Sequence, residues 1–460
     1  MKLPKKISEL QKDLLDKKYT ATQMVDSYLA NINSKKDLNA FITVTDEIAY
    51  KEAKKVDENI KLLGEKAFIE KPLLGAVVAH KDIFLTKDVR TTAASNVLKD
   101  YVPAYSATAV KRLKDAGAIM IGKVNCDAWA HGSSGENSDF GPTRNPYNRD
   151  FVPGGSSSGS AVSVAADMSL LSTATDTCGS VRLPANYCGI VGLKPTYGAI
   201  SRYGVIAMAS SLDCVSPMAN DVDGVRRMFN IMKGEDGYDG TVTNPKPTKV
   251  KSKLKIGIAK EFFSDGINSE VRIEIESAIE KFKKKGIEFV DISLPHTKYA
   301  ISTYYIIQPA EVSSNLGRFD GVRFGAGRDK FGAEAKRRIM LGNYVLSSGY
   351  YDAYYAKAMK VRAIIMDEVS KVFDPSADGV DAIIAPVAPT PPFKIGEKVT
   401  DPLKMYLTDI FAATANLTGI PSIAIPSGTT RSGLPLGFQL MGPRFGEDIL
   451  FKLGGLYERI

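Results

Sequence analysis

Between residues 131 and 205 the chain is rich in glycine and serine, yet three apolar segments cut through it: Ala161-Val162-Ser163-Val164-Ala165-Ala166, Leu170-Leu171 and Ile190-Val191-Gly192-Leu193. Glycine and serine alone would make a flexible linker. Apolar segments this close together must be buried, so the stretch has to be a packed region. Glycine then serves close approaches of backbone to backbone. No internal repeat or low-complexity tract accompanies it.

The flanking patterns set the fold class. Leu73-Leu74-Gly75-Ala76-Val77-Val78-Ala79 reads as a buried strand that delivers His80-Lys81-Asp82 to its carboxyl end. A helix over 107–116 and a strand over 118–121 follow. Earlier, Thr20-Ala21-Thr22-Gln23 fits a capping box, with Met24, Val25, Tyr28, Leu29 and Ile32 at helical spacing behind it. Later, Lys255-Ile256-Gly257-Ile258-Ala259 reads as a strand, and the helix after it places Val271, Ile275, Ala278, Ile279 and Phe282 on one face before Gly286. Strand–helix alternation of this kind predicts an α/β protein with a largely parallel or mixed sheet. A cluster of Asp, Gly, Pro and Lys over 234–253, around Asn244-Pro245-Lys246-Pro247, marks either a domain boundary or a surface insertion within one sheet.

Charge and composition exclude several classes. Sixty Lys and Arg against 52 Asp and Glu give a net charge of +8, spread along the chain. A solvated surface is the default reading, and an RNA-bearing partner is permitted. Cys126, Cys178, Cys188 and Cys214 have neither CxxC spacing nor histidine at ligand distance, so no metal site is expected. Four unpaired thiols suit a reducing compartment. No apolar run approaches the ~18 residues that span a bilayer, and the amino terminus lacks a signal-peptide pattern. A soluble, cytoplasmic protein is expected.

The chemistry-bearing residues are Lys81, Ser156 in Pro153-Gly154-Gly155-Ser156, and Ser180 in Asp176-Thr177-Cys178-Gly179-Ser180. Cleaving an amide needs a nucleophile, a group that takes and returns a proton, and donors for the oxyanion. Ser180 follows a Gly-containing turn and precedes a short helix towards Tyr187. That context exposes its Oγ and aims the N–H groups of Thr177, Cys178, Gly179 and Ser180 at developing negative charge. Ser156 would relay a proton from Ser180 to Lys81. An exposed lysine titrates near ~10.4, so Lys81 works as a base only if burial lowers it by several units. The alternative reading makes Lys81 and Asp82 a surface pair and the serines ordinary turn residues.

Other motifs fail on context. Gly155-Ser156-Ser157-Ser158-Gly159 matches the G-x-S-x-G elbow, but no strand precedes it. The segment from Gly117 to Gly122-Lys123 imitates a phosphate loop, yet its interior is strand-like and Val124 replaces the hydroxyl needed for Mg²⁺. His80, His131 and His296 lie in no context that marks a catalytic base.

At this point the sequence resembles the amidase signature family. The supporting runs are Gly132-Ser133-Ser134-Gly135-Glu136-Asn137-Ser138, Gly141-Pro142-Thr143-Arg144-Asn145-Pro146 and Gly192-Leu193-Lys194-Pro195-Thr196-Tyr197-Gly198. Further on, Ser313 to Arg323 and Gly349-Tyr350-Tyr351-Asp352-Ala353-Tyr354-Tyr355 are similar to the glutaminase subunits of tRNA-dependent amidotransferases. The resemblance implies a single α/β/α domain over 1–460 around a mixed, twisted sheet, with its signature core over 73–220. It implies Lys81 as base, Ser180 as acylated nucleophile and Ser156 as bridge, held through a non-proline cis peptide. It also implies that Arg362 grips the α-carboxylate of glutamine, with Asp409 and Tyr305 near the α-ammonium. No cofactor is expected in this chain. ATP and Mg²⁺ would sit on a partner B subunit that amidates misacylated tRNA, and a C subunit would complete a heterotrimer.

Three positions depart from the family pattern. Cys178 and Ser158 stand in place of glycine, and Leu183 in place of glutamine. If position 178 required positive φ, its Cβ would cost ~1 kcal/mol or more. Two other readings use the same chain: a standalone amidase on small amides, and a scaffold that has lost catalysis.

Overall fold

A computed structural model describes every residue except Met1, Lys246, Pro247, Lys249, Ser264, Asp265 and Phe324. Its frame is one sheet of eleven strands: β1 (Phe41–Val44), β2 (Val77–Lys81), β3 (Ile119–Val124), β4 (Leu171–Asp176), β5 (Val191–Lys194), β6 (Cys214–Ala219), β7 (Lys255–Ala259), β8 (Glu288–Ile292), β9 (Ala382–Pro386), β10 (Ser422–Thr429) and β11 (Pro435–Met441). They lie in the order β1-β3-β2-β4-β6-β5-β10-β11-β9-β7-β8. The sheet is mixed: β2 runs parallel to both β3 and β4, whereas β4 is antiparallel to β6.

Local sequence explains the elements that matter. Every residue of β2, β3 and β4 is buried, as a strand covered on both faces by helices requires. The amino-terminal capping box forms in both directions between Thr20 and Gln23, and starts helix Ala21–Ser34. Helix Ser269–Lys284 buries Val271, Ile275, Ala278, Ile279 and Phe282, the face expected from the sequence. The segment after the Pro- and Lys-rich break returns to the same sheet, because β7 pairs with β8 and β9. Part of that break, at Lys246, Pro247 and Lys249, lies outside the described residues.

One element differs from expectation. The strand before Lys81 begins at Val77 rather than Leu73, because Gly75 takes φ +84° in a turn. In the tyrosine-rich segment, Tyr351–Ala356 is π-helical and runs into helix Lys357–Val372. Tyr350, Tyr351 and Tyr354 are exposed and meet other tyrosine rings there.

The core falls into two clusters. The larger packs both faces of β2, β3 and β4. The smaller joins Cys178 to Tyr304, Ile307, Ile365 and Phe411, under helices Ala300–Leu316 and Lys357–Val372. Because β2 and β4 are parallel neighbours, Lys81 and Asp176, their last residues, come out on the same side of the sheet. In open α/β sheets, ligands are taken up outside such carboxyl ends. Among the described residues, no helix is long and apolar enough to cross a membrane, and no group of three or more His, Cys, Asp or Glu is arranged to hold a metal ion.

Candidate active site

Lys81 is fully buried, and its Nζ donates to three hydroxyls: Ser156 Oγ at 2.8 Å, Ser157 Oγ at 3.0 Å and Thr175 Oγ1 at 3.0 Å. All three partners are neutral. Asp82, the partner in the surface-pair reading, is also fully buried and faces Lys123 at 3.4 Å. Burial therefore acts on the Lys81 amine with little to oppose it and pushes it down to about 8; Cys126, Asp127 and more distant carboxylates act weakly the other way. About a tenth of the amine is then neutral at pH 7.

The turn that carries Ser156 is fixed from both sides. The Gly155–Ser156 peptide is cis. A Cβ on Gly155 would lie 1.9 Å from Asp127 Oδ2, and one on Gly154, at φ +78°, would lie 2.9 Å from Pro184 Cα. Only glycine fits at either position. Asp127 is itself buried and accepts from the N–H groups of Gly135 and Asn137. Burial raises its carboxyl to about 6 against those donors. Helix Ser158–Ala165 starts at once, with no strand before the turn, so the G-x-S-x-G match has no elbow.

Ser180 stands beyond β4 and immediately before Val181, the cap of helix Arg182–Tyr187, with 6% of its surface exposed. Its carbonyl accepts from Ser157 N–H at 3.1 Å, which ties the nucleophile turn to the relay turn. Asp176 organises the loop between. It accepts from Gly179 N–H at 2.7 Å and pairs with the buried Arg182 at 3.0 Å. Burial alone would raise the Asp176 carboxyl, but Arg182 holds it at about 2. Two expectations are revised here. The Gly179 N–H is already engaged by Asp176, so the other expected donors are those of Thr177, Cys178 and Ser180. The positive φ of the turn, +90°, belongs to Gly179 and not to Cys178, so the Cys178 Cβ carries no left-handed strain.

Beside this turn lies a second group of residues. A Cβ on Gly179 would come 3.9 Å from Asp409 Oδ1. Asp409 Oδ2 accepts from Ser133 Oγ at 2.5 Å and from Tyr305 OH at 3.3 Å. Burial raises this carboxyl to about 7. Tyr305 stacks on Tyr406 at 3.8 Å between centroids. The guanidinium of Arg338 covers both rings, at 5.5 Å from Tyr305 and 5.6 Å from Tyr406.

Arg338, which no sequence pattern singled out, is therefore the arginine of this cluster. Arg362 is not: its fork donates to Leu417 O, Ser211 Oγ and Ser211 O at 2.8, 2.9 and 3.0 Å. Arg338 is bonded as well, donating to Glu334 Oε1 at 2.8 Å and to Gln308 Oε1 at 2.7 Å, but of the two arginines it is the one whose guanidinium covers the Tyr305 ring beside Asp409. Arg338 sits in Lys336-Arg337-Arg338, which looks like a solvated basic run. Only the packing of helix Ala333–Leu346 against helix Ala300–Leu316 buries it, to 3% exposure. Sequence reasoning likewise missed Ser157, Thr175 and Asp127, since nothing in a one-dimensional pattern marks a supporting hydroxyl or clamp. The exposed tyrosines of 350–354 do not line this group, so they say nothing about its ligand.

The histidines take no part in the Lys-Ser-Ser arrangement. His80 bonds Thr173 Oγ1, and burial pushes it down to about 3. His296 faces Glu368 at the surface.

The sequence profile of the family described as Amidase matches residues 23–451. The A subunit of a glutamyl-tRNA(Gln) amidotransferase from Geobacter metallireducens is 48% identical, over 98% of this chain and 96% of its own length. The crystal structure of the corresponding A subunit from Thermotoga maritima, also of a glutamyl-tRNA(Gln) amidotransferase, aligns with TM-score 0.82 and 37% identity, over 100% of this chain and 96% of that one. A native peptide amidase from Stenotrophomonas maltophilia aligns with TM-score 0.80 and 26% identity, over 98% and 96%.

Proposed function

The chain belongs to the amidase family, and from that premise we propose that it is the glutamine-hydrolysing subunit of a tRNA-dependent amidotransferase. Ser180 Oγ attacks the side-chain carboxamide carbon of glutamine. Its proton passes to Ser156 Oγ as the Ser156 proton passes to Lys81 Nζ. The oxyanion is met by backbone N–H groups of 177–180 other than Gly179's. The C–N bond then breaks, its nitrogen takes the proton back through the same relay, and ammonia leaves a glutamyl ester on Ser180. Water adds to the ester by the same path and releases glutamate.

The observation that carries this reading is the buried Lys81 amine, bonded to three hydroxyls and, among the described residues, to no carboxylate. No counter-ion holds the proton on this amine, and in its neutral fraction Nζ donates to two of the hydroxyls and accepts from Ser156 Oγ, the direction the relay needs. Arg338 takes the α-carboxylate, and Asp409 with Tyr305 faces the α-ammonium.

The relatives are named as the A subunit of an amidotransferase, which supports partners for this chain. The ammonia is passed to a B subunit that binds ATP and Mg²⁺ and amidates Glu-tRNA(Gln) or Asp-tRNA(Asn), with a C subunit completing the assembly. Co-expression with such subunits should give glutamine-dependent conversion of Glu-tRNA(Gln), and an electrophilic glutamine analogue should label Ser180. Glutamine hydrolysis that survives Ser180→Ala would end the reading. Faster turnover of simple amides than of glutamine by the isolated chain would favour a standalone amidase.

A further inference from the structure

His131 is fully buried, and neither ring nitrogen has a hydrogen-bond partner among the described residues. Buried polar atoms are nearly always paired, so two orphaned nitrogens on one ring call for an explanation. The ring is not adrift. The backbone leading to it runs through Trp129 and Ala130 at φ +60° and +62°, a left-handed pair that non-glycine residues adopt at a cost. His131 N–H donates to Ala128 O, and Asn137 Nδ2 donates to His131 O at 2.7 Å. The main chain is thus held at both ends while the side chain is left with nothing to bond.

His131 lines a cavity of about 190 Å³ together with Ser133, Glu136, Lys398, Tyr406 and the paired Arg338 and Glu334. Two of these belong to the cluster beside the nucleophile turn: Ser133 bonds Asp409, and Arg338 covers the Tyr305 and Tyr406 rings. Burial, and then the Arg338 charge, lower the basicity of His131 well below the ordinary histidine range. The ring is therefore neutral, with one N–H donor and one bare acceptor nitrogen. A zwitterionic amino-acid head offers the complement, an ammonium to donate and a carboxylate to accept.

We propose that His131 is a specificity-determining residue for the amidase reaction, its imidazole hydrogen-bonding the charged amino-acid end of the substrate in the cavity beside Arg338. The inference rests on the glutamine reading above. Arg338 supplies charge and Asp409 the counter-charge; His131 supplies the neutral contact that a substrate without an amino-acid head cannot satisfy. Such a contact discriminates strongly, because the wrong substrate leaves a buried polar group unpaired.

The test compares native full-length chain, co-purified with any subunits it binds, with His131→Met and His131→Gln. Methionine fills the volume without a strong polar atom, whereas glutamine keeps one donor and one acceptor. His131→Met should raise KM for glutamine about tenfold or more while kcat stays within about threefold. Its preference for glutamine over propionamide, as a ratio of kcat/KM values, should fall by a similar factor. His131→Gln should recover most of the loss. The thermal midpoint of His131→Met should not fall, since an unpartnered polar ring is being replaced by an apolar chain. A glutamine KM within twofold of native in His131→Met, or an equal loss on both substrates, overturns the proposal while native glutaminase activity leaves the broader reading intact. Absence of native glutamine turnover overturns both.

Discussion

Lys81 and Asp176 end two adjacent parallel strands, yet these opposite charges do not pair: the amine goes to Ser156, Ser157 and Thr175, and the carboxylate to Arg182. The division of partners sets the chemistry. A lysine paired with a carboxylate would hold its proton at all working pH, while one bonded to hydroxyls in a dry site gives it up from a fraction of its population near neutral pH. Lys81→Arg should therefore lower glutaminase kcat/KM by about 10²–10⁴-fold, because a guanidinium stays protonated even when buried. Steady-state ammonia release measures it, and near-native turnover in Lys81→Arg would remove Lys81 from the reaction.

The pH profile should carry the same signature. The free base is the active form, and burial puts its midpoint at about 8. Activity should rise roughly tenfold per pH unit below that midpoint and flatten above it. A profile of kcat/KM already flat from about pH 6 to 9 would contradict a lysine base.

Much of this was legible in the sequence, and what was not shares one cause. Lys81, Ser156 and Ser180 are signalled locally, by an apolar run that ends in a lysine and by glycine turns ahead of short helices. The buried face of helix Ser269–Lys284 and the Thr20 cap are also local patterns. Arg338 and Arg362 are not. Each is an arginine on an amphipathic helix, and only tertiary packing decides that one covers two tyrosine rings while the other bonds Ser211 and Leu417. Likewise, the departure at Cys178 is harmless to the backbone because the neighbouring Gly179 takes the positive φ. One-letter spacing does not say which of two adjacent residues bears a turn.

The Asp176–Arg182 pair predicts a stability effect as well. Both side chains are fully buried, and Arg182 also bonds Gln439, Ala412 O and Asn416. Asp176→Asn leaves a buried guanidinium without its counter-charge, which should cost about 3–5 kcal/mol. The folded carboxyl is held near 2, below its unfolded value. Its contribution is therefore present above pH ~3.9 and is lost as pH falls through about 2. Thermal unfolding at pH ~7 would show a lowered midpoint in Asp176→Asn, and an unchanged one would mean that the network relaxes around a neutral partner.

The two arginines should separate by readout. Arg338 covers the Tyr305 and Tyr406 rings, lines the cavity next to Ser133 and bonds Glu334 at 2.8 Å and Gln308 at 2.7 Å, so Arg338→Lys keeps a charge but loses the planar fork. KM for glutamine should rise by about 10–100-fold, the scale of losing one arm of a bidentate carboxylate contact. Arg362 donates to Ser211 and Leu417 and holds two chain segments together. Arg362→Lys should instead lower the thermal midpoint, by an amount matching about 1–3 kcal/mol, with KM moved less than about threefold. Measuring KM and unfolding on both variants decides the assignment. If Arg362→Lys alone raised KM, the carboxylate would have to be sought on that side of the fold, since a guanidinium already bonded to Ser211 O would then have released it to meet the substrate.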